Sequence, residues 1–213
     1  MDRVLDGPSD DLWANVTVDA VAQVVDCKHV TAKFVPTGIP VVSIAELGKR
    51  FVSLKNAPRT TPEYYRLLTD GPRRLRTDDL IMSRNATVGR VARVGEGQPR
   101  FAMGQDVVLI RTRSAAALPE FLQHAIQSPI IGRQLDEMMA GSTFKRVNVK
   151  EIKKLALALP KVREQSQISA ALDDADDAIA TLECLIAKKG AIKQGMMQQL
   201  LTGRTRLPAE AAS

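Results

Sequence analysis

The chain has 213 residues, of which 45% are hydrophobic, so it is long enough for one domain with a buried core plus an extended element. Aromatic residues make up 4%, which disfavours a platform for RNA or single strands, because such platforms stack unpaired bases on several exposed rings. Cys27 and Cys184 follow no disulfide or metal spacing, the N-terminus is acidic and unlike a signal peptide, and no apolar stretch approaches a membrane span. We therefore expect a cytoplasmic protein.

The net charge of +6 is concentrated in one segment. Residues 49–113 hold 14 basic and 6 acidic residues, whereas residues 1–48 hold 3 and 7, and residues 114–213 hold 13 and 11. Twelve of the 14 basic residues are arginine, whose planar guanidinium pairs with phosphates and with guanine edges. This pattern predicts a nucleic-acid-binding surface or, alternatively, an ordinary solvated basic surface.

The first third of the chain alternates β-rich and irregular stretches. Residues 16–25 predict a strand or a short helix, and residues 30–44 predict two β-rich halves separated by a Pro/Gly turn. Prolines and glycines interrupt residues 55–76, which predict a long loop with a helical turn near Tyr64–Leu68. Long ordered loops on a scaffold are often functional.

The middle of the chain predicts a hairpin and a further strand. Residues 77–84 and 89–94 flank the tetrapeptide Asn-Ala-Thr-Val, and residues 106–113 form the next strand. Apolar residues at helical spacing over residues 118–139 predict a helix that is broken near Ser128 and Pro129.

The segment before Pro160 predicts short elements. Residues 141–147 indicate a turn entering a short strand, residues 149–154 a helical turn, and residues 155–160 a buried strand. We therefore expect an α+β fold with a mixed β-sheet and helices over residues 1–160.

A long helix is predicted after Pro160, because no proline occurs between Glu164 and Leu201. Apolar residues step by four and three residues along it, which is typical of a coiled coil, and the stripe then shifts at Lys189. We expect the helix to span residues 161–203, followed by a flexible tail over residues 204–213. The expected dimer-interface residues are Ile168, Leu172, Ala175, Ile179, Leu182, Ile186, Ile192 and Met196.

A helix of this length needs a partner to cover its apolar stripe. The chain has no second long helix, so a second copy of the chain is the expected partner; the alternative is a helix folded back on the domain. Acidic residues cluster over residues 173–183 and lysines over residues 188–193, an order that favours antiparallel over parallel pairing. The same order also complements the helix dipole.

Four stretches of the chain resemble the specificity subunit of type I restriction-modification systems. They are TDDLIMSRNATVG at 77–89, GSTFKRVNVKEI at 141–152, LALPKVREQSQI at 157–168 and IAKKGAIKQGMMQQLLTG at 186–203. The family's lead-in to its long helix has two prolines before a Glu-Gln pair; Pro160, Glu164, Gln165 and Ile168 match, and the second proline is absent. The run KQGMMQQLLTG is the most specific match.

The resemblance implies a target recognition domain that binds double-stranded DNA, followed by a long helix. A full-length subunit has two such units with antiparallel helices, and the complete enzyme adds adenine-N6 methyltransferase subunits and ATP-dependent restriction subunits. This chain resembles a half-length form: a natural half-subunit, a truncated product or one part of a split gene. We therefore expect a homodimer that directs those partner subunits to a bipartite site.

No motif for catalysis is present in the sequence. It lacks an ATP-binding glycine-rich loop, a motif for amino methylation and a His/Cys cluster for zinc, so we predict no catalytic residues, cofactor or metal. A small nuclease using Asp78, Asp79 and Asp106 is an alternative, although these acids lie among arginines without metal spacing. A stand-alone DNA-binding regulator or a coiled-coil adaptor without a methyltransferase is another.

The candidate base contacts lie where the first predicted hairpin strand meets its loop. They are Arg84, Asn85, Thr87 and Arg90. Asn reads adenine and Arg reads guanine by paired hydrogen bonds in the major groove. The alternative is that Asn85 and Gly89 only shape the turn.

The candidate phosphate contacts are basic residues outside that loop. Lys145 and Arg146 follow a Gly-Ser-Thr turn that either presents backbone N–H groups to a phosphate or is simply a turn. The other expected DNA contacts, mostly to phosphates, are Lys49, Arg50, Lys55, Arg59, Arg73, Arg74 and Arg76.

Overall fold

The computed structural model describes residues 13–113, 115–140 and 146–206. The chain divides into two units, the first ending at Ser169 and the second beginning at Ala170. The first combines mixed β-sheets with helices, and a long helix ends at Leu201, so the predicted α+β class is confirmed. No helix within these ranges is long and apolar enough to cross a bilayer.

The elements of the described residues are numbered in chain order. Strands β1 to β10 are Ala14–Thr17, Ala22–Asp26, Phe34–Val35, Ile39–Val42, Arg59–Thr60, Leu80–Ser83, Val91–Arg93, Ala102–Met103, Val107–Thr112 and Ala156–Leu159. Helices α1 to α6 are Val18–Val21, Pro62–Leu68, Pro119–Gln127, Pro129–Met139, Val149–Lys154 and Val162–Leu201. Two short 3₁₀ helices, at Ile44–Glu46 and Gly71–Arg73, complete them.

The central sheet is antiparallel, with strand order β2-β9-β6-β7. Successive side chains of a strand point to opposite faces of the sheet, and those of β6 and most of those of β9 are buried. Both faces of the two inner strands are therefore covered. Leu80 and Met82 pack into one apolar cluster with residues of α3, α4 and α5, whereas Ile81 joins a second cluster on the other face. The predicted hairpin, the strand after it and the helix break at Ser128 are confirmed.

A smaller sheet has the order β3-β5-β4-β8. The two β-rich halves of residues 30–44 are strands, as predicted, but β5 lies between them and pairs with both. Sequence reasoning missed β5 because its two residues lie inside the stretch expected to be a loop. The predicted helical turn extends to all of α2, with the Thr61 hydroxyl accepting a hydrogen bond from the Tyr64 N–H and Pro62 at the first position.

Strand β10 pairs with β1 in a separate two-stranded sheet. The predicted strand is confirmed, but it is only half-buried: Leu157 is buried, whereas Ala156 and Ala158 are exposed. A two-stranded ribbon covers the core with one face only, so alternate residues point away from it. Residues 16–25, for which a strand or a helix was expected, contain both, since α1 separates β1 from β2.

Helix α6 has 40 residues, which corresponds to about 60 Å, and the predicted long helix is confirmed. Its first turns are held by Gln165, which is fully buried. The Gln165 amide donates to the carbonyl oxygens of Ala116 at 2.6 Å and Pro160 at 2.8 Å, and its oxygen accepts from the Leu118 N–H at 2.8 Å. Glu164 accepts a hydrogen bond from the Trp13 indole at 3.1 Å, so both residues of the Glu-Gln pair have a structural role.

Replacing Gln165 with alanine should destabilise the first unit. The substitution removes three hydrogen bonds and leaves the Leu118 N–H without its acceptor, so the free energy of unfolding should fall by about 2–3 kcal/mol. Gln167→Ala is the matched control, since Gln167 is exposed on the same helix. Urea titration followed by circular dichroism measures both; equal stability of the two variants would contradict this role.

Candidate nucleic-acid interface

The loop between β6 and β7 is tightly closed. The Ser83 N–H donates to the Arg90 carbonyl at 2.8 Å, and the Arg90 N–H donates to the Ser83 hydroxyl at 3.1 Å. Ala86 has φ 56° and Gly89 has φ 89°, and a Cβ at Gly89 would lie 2.9 Å from the Leu135 side chain. The loop therefore presents Thr87 and Arg90, both exposed, from a defined backbone.

Asn85 uses its side chain to hold this loop. Its amide oxygen accepts from the Ala86 N–H at 2.9 Å, and its amide nitrogen donates to Asp106 Oδ1 at 3.2 Å. Its backbone forms an isolated bridge with Arg146, which is exposed. The structure thus brings Asn85, Thr87, Arg90 and Arg146 together and gives Asn85 the turn-shaping role that the sequence left open. Lys145 and the turn before it lie outside the described residues.

Arg84 does not reach the surface, because only 3% of the residue is exposed. Its guanidinium lies 3.3 Å from Asp26 Oδ1 and 3.5 Å from His29 Nε2. A polar residue at the end of a strand suggested a base contact. A residue that forms a buried ion pair has the same sequence pattern, so the sequence cannot separate the two roles. Arg84 is therefore buried and not available to contact DNA.

Asp26, Cys27 and His29 lie together beside Arg84, with their potential ligand atoms within 4.8 Å of one another. Cys27 follows no metal spacing in the sequence, and in the fold His29 Nε2 lies 3.2 Å from Asp26 Oδ2. The Arg84 guanidinium already provides positive charge to this group. Burial raises the pKa of the Cys27 thiol, which disfavours the thiolate that a metal ion requires. The group fits an ion-pair network better than a cation site.

Lys49 and Arg50 form a tight turn beside β7. Gln127 donates its amide protons to the carbonyl oxygens of Lys49 at 3.0 Å and Val91 at 3.1 Å, and Gln123 donates to the Arg50 carbonyl at 2.7 Å. The turn therefore lies next to the strand that begins directly after Arg90. Lys55 and Arg59 belong to the neighbourhood of the smaller sheet instead, where Lys55 is exposed and Arg59 donates to the Gly38 carbonyl at 3.0 Å.

Arg73, Arg74 and Arg76 lie at the start of β6, at the opposite end of the hairpin from Asn85. A buried ion pair positions them: Arg111 donates to both carboxylate oxygens of Asp79, at 2.7 and 2.6 Å. Arg111 also donates to the Arg74 carbonyl at 2.8 Å, and Asp79 accepts from the Arg76 N–H at 2.7 Å. The side chains of Arg74 and Arg76 remain exposed, whereas Arg73 is partly buried and donates to the Asp26 carbonyl at 2.9 Å.

Three arginines of the basic segment therefore point inward. Arg84 and Arg111 form the pairs given above, and Arg93 pairs with Glu120, lies 3.6 Å from Asp78 and stacks over the Phe51 ring at 5.1 Å. The arginine excess consequently overstates the positive surface, since three of these arginines are paired with carboxylates.

The three carboxylates proposed for a nuclease do not converge. Asp78 and Asp79 precede β6, whereas Asp106 precedes β9 and lies near Ser83, at the other end of β6. Four residues of strand separate these positions by about 13 Å. Asp79 is also paired with Arg111 and buried.

The apolar stripe of α6 is exposed over most of its length within the described chain. Leu172, Ile179 and Leu182 are 43%, 49% and 58% exposed, and Ile186 is 71% exposed. Ala175, Ile192 and Met196 are also exposed, whereas Ile168 is partly buried in the first unit.

Residues 13–188 match the sequence profile of the type I restriction modification DNA specificity domain. The chain belongs to this family. A protein described as the specificity subunit of the type I restriction enzyme MjaX, from Methanocaldococcus jannaschii, is 31% identical over 120 residues, which is 54% of this chain and 27% of that protein. The resemblance found in the sequence is thereby confirmed.

Solved structures share the fold of this specificity-domain chain. The HsdS subunit from Thermoanaerobacter tengcongensis has a TM-score of 0.57 at 18% identity and 91% coverage of this chain, and the S subunit from M. genitalium has 0.60 at 16% and 92%. A chain from a study of type I system assembly has 0.65 at 20% and 90%. The match covers only 46%, 47% and 46% of those chains, respectively, so this chain spans about half their length.

Two adjacent aspartates should respond differently to neutralisation. Asp79→Asn leaves the Arg111 guanidinium without its carboxylate and should lower the free energy of unfolding by about 3 kcal/mol. Burial raises the pKa of the Asp78 carboxyl, so its charge disfavours the folded state at neutral pH, and the folded state is stabilised as the pH falls and the carboxyl is protonated. Asp78→Asn should therefore cost little, and asparagine tolerates its φ of 67°. Denaturant titration at pH 7 decides; a larger loss for Asp78→Asn would contradict the assignment.

Proposed function

We propose that this chain reads a duplex DNA sequence for a type I restriction-modification enzyme and catalyses no reaction itself. The observation that carries the proposal is the hydrogen-bonded loop after β6, with exposed Thr87 and Arg90 beside Arg146, in a chain of the specificity-domain family. Loops held by a scaffold are suited to reading base edges, while surrounding basic residues bind phosphates.

The proposed contact surface consists of residues that are at least partly exposed. Thr87 and Arg90 are the candidates for base contacts, and Asn85 positions them. Lys145 remains a candidate contact. The phosphate contacts are Lys49, Arg50, Lys55, Arg59, Arg73, Arg74, Arg76 and Arg146. We assign residues 1–160 to DNA recognition, residues 161–203 to the helix and residues 204–213 to a tail.

The proposed partner for α6 is a second copy of the chain. The exposed stripe from Leu172 to Met196 is apolar, and antiparallel packing places the acidic residues 173–183 of one copy near the lysines at 188–193 of the other. Antiparallel identical helices are related by a two-fold axis, so two identical domains read identical half-sites on opposite strands. The names of the relatives support methyltransferase and restriction subunits as further partners, with one methylated adenine expected in each half-site.

A stand-alone DNA-binding regulator or coiled-coil adaptor is the alternative function. It shares the DNA-binding surface and the helix but needs no methyltransferase. Co-purification with an adenine methyltransferase subunit separates the two functions.

Charged residues in the stripe should dissociate the homodimer. Ile179→Glu together with Leu182→Glu places carboxylates in an apolar interface, and the protein should sediment as a monomer at micromolar concentration. Thr181→Glu is the matched control, because Thr181 is exposed on the opposite side of the helix. Analytical ultracentrifugation distinguishes them; a monomeric parent chain would refute self-association.

Duplex affinity should fall steeply with salt. If the surface neutralises about six phosphates, affinity drops about a thousandfold between about 50 and 200 mM salt, because bound counterions are released. Arg90→Ala should reduce the slope of log affinity against log salt, whereas Arg113→Ala, which removes an arginine paired with Asp19, should not.

A flat salt response would count against the basic surface. The same preparation should neither cleave nor methylate DNA with magnesium, ATP or S-adenosylmethionine, and turnover that persists through purification would overturn the non-catalytic assignment.

A further inference from the structure

Three arginines line one cavity at the start of β6, away from the loop at Asn85. Arg74, Arg76 and Arg100 surround a space of about 290 Å³, together with Tyr65 and Gln98. No acidic side chain lines it: Asp78 and Glu96 neighbour the lining residues in sequence but are not part of the wall. Sequence reasoning did not select Arg100, because it stands alone between a proline and the strand of the smaller sheet.

The cavity is preformed by contacts that do not use the arginine charges of Arg74 and Arg76. Their backbone is fixed by Arg111 and Asp79, through the Arg74 carbonyl and the Arg76 N–H. The Arg100 guanidinium lies over the Tyr65 ring, 5.5 Å from its centroid. In the part of the chain that the structure describes, Arg74, Arg76 and Arg100 have no carboxylate partner. Like charges held together in this way favour an anion between them.

We propose that this cavity binds a phosphate, and that its source is the DNA backbone. The assignment to DNA rests on the proposed function, whereas phosphate binding by the cavity does not. The cavity lies at the Asp78–Val94 end of the hairpin, where the Asp78 N–H donates to the Val94 carbonyl at 3.0 Å, and β6 separates it from the loop by about 13 Å. Phosphates follow one another about every 3.4 Å of helix axis on each strand, so a duplex whose groove faces the loop can place a phosphate at this distance.

Inorganic tripolyphosphate is the probe for the site. In calorimetric titrations it should bind the parent chain, and Arg76→Ala and Arg100→Ala should each weaken it about tenfold by removing a charge-assisted contact. Arg113→Ala is the matched control and should bind as the parent does. Far-ultraviolet circular dichroism verifies folding of each variant. Absent binding, or equal binding by all four proteins, would overturn the proposal.

Competition identifies the source of the phosphate. Short duplex DNA should displace the probe from the parent chain, and Arg100→Ala should weaken binding to cognate and random duplexes equally, because a phosphate contact carries no sequence information. Displacement by ATP but not by duplex would assign the site to a free nucleotide and overturn the backbone assignment. If the parent chain bound no duplex at all, the proposed function would fail, whereas the tripolyphosphate titration would still decide the cavity.

Discussion

The buried ion pair between Asp79 and Arg111 connects the core of this protein to its basic surface. It joins β6 to β9 in the central sheet, and the remaining donors of Arg111 hold the carbonyls of Pro72 and Arg74 at 3.3 and 2.8 Å. A guanidinium has several donors in a fixed fork, so it can bind the carboxylate and the backbone carbonyls at the same time. A lysine ammonium cannot reproduce this geometry. The backbone positions of the exposed Arg74 and Arg76 therefore depend on the ion pair between Arg111 and Asp79.

The same division applies to the whole basic segment. Arg84 and Arg93 are buried and pair with partly exposed carboxylates, while Arg74, Arg76 and Arg90 are exposed. Removing the carboxylate partner of a buried arginine is costly, because the buried guanidinium is then left without a compensating charge. The outward arginines remain available for an anionic partner.

Much of the fold could be predicted from the sequence because its strands and helices have clear periodicity. The hairpin of β6 and β7, the break at Ser128 and the length of α6 all follow from local patterns. Strand β5 could not be predicted, since its two residues are defined by their pairing partners. The burial of Arg84 likewise depends on Asp26, which is 58 residues away in the chain.

The candidate site shows the same limit of local information. The sequence placed Thr87 and Arg90 in a loop, but the role of Asn85 in holding that loop depends on Asp106 and Arg146. The position of Arg100 at the cavity is apparent from its contact with the Tyr65 ring, which the sequence does not predict. Residues brought together by tertiary contacts carry no signal in spacing, and the three backbone groups that Gln165 binds could not be predicted for the same reason.

We propose that two identical recognition domains, related by a two-fold axis, read DNA through this surface. Selection of bound sequences from a random duplex pool tests this directly. Two copies of one half-site are expected in inverted orientation, separated by an unread spacer, with centres on the order of one helical turn or slightly more apart. An asymmetric site, or a single uninterrupted motif, would contradict it.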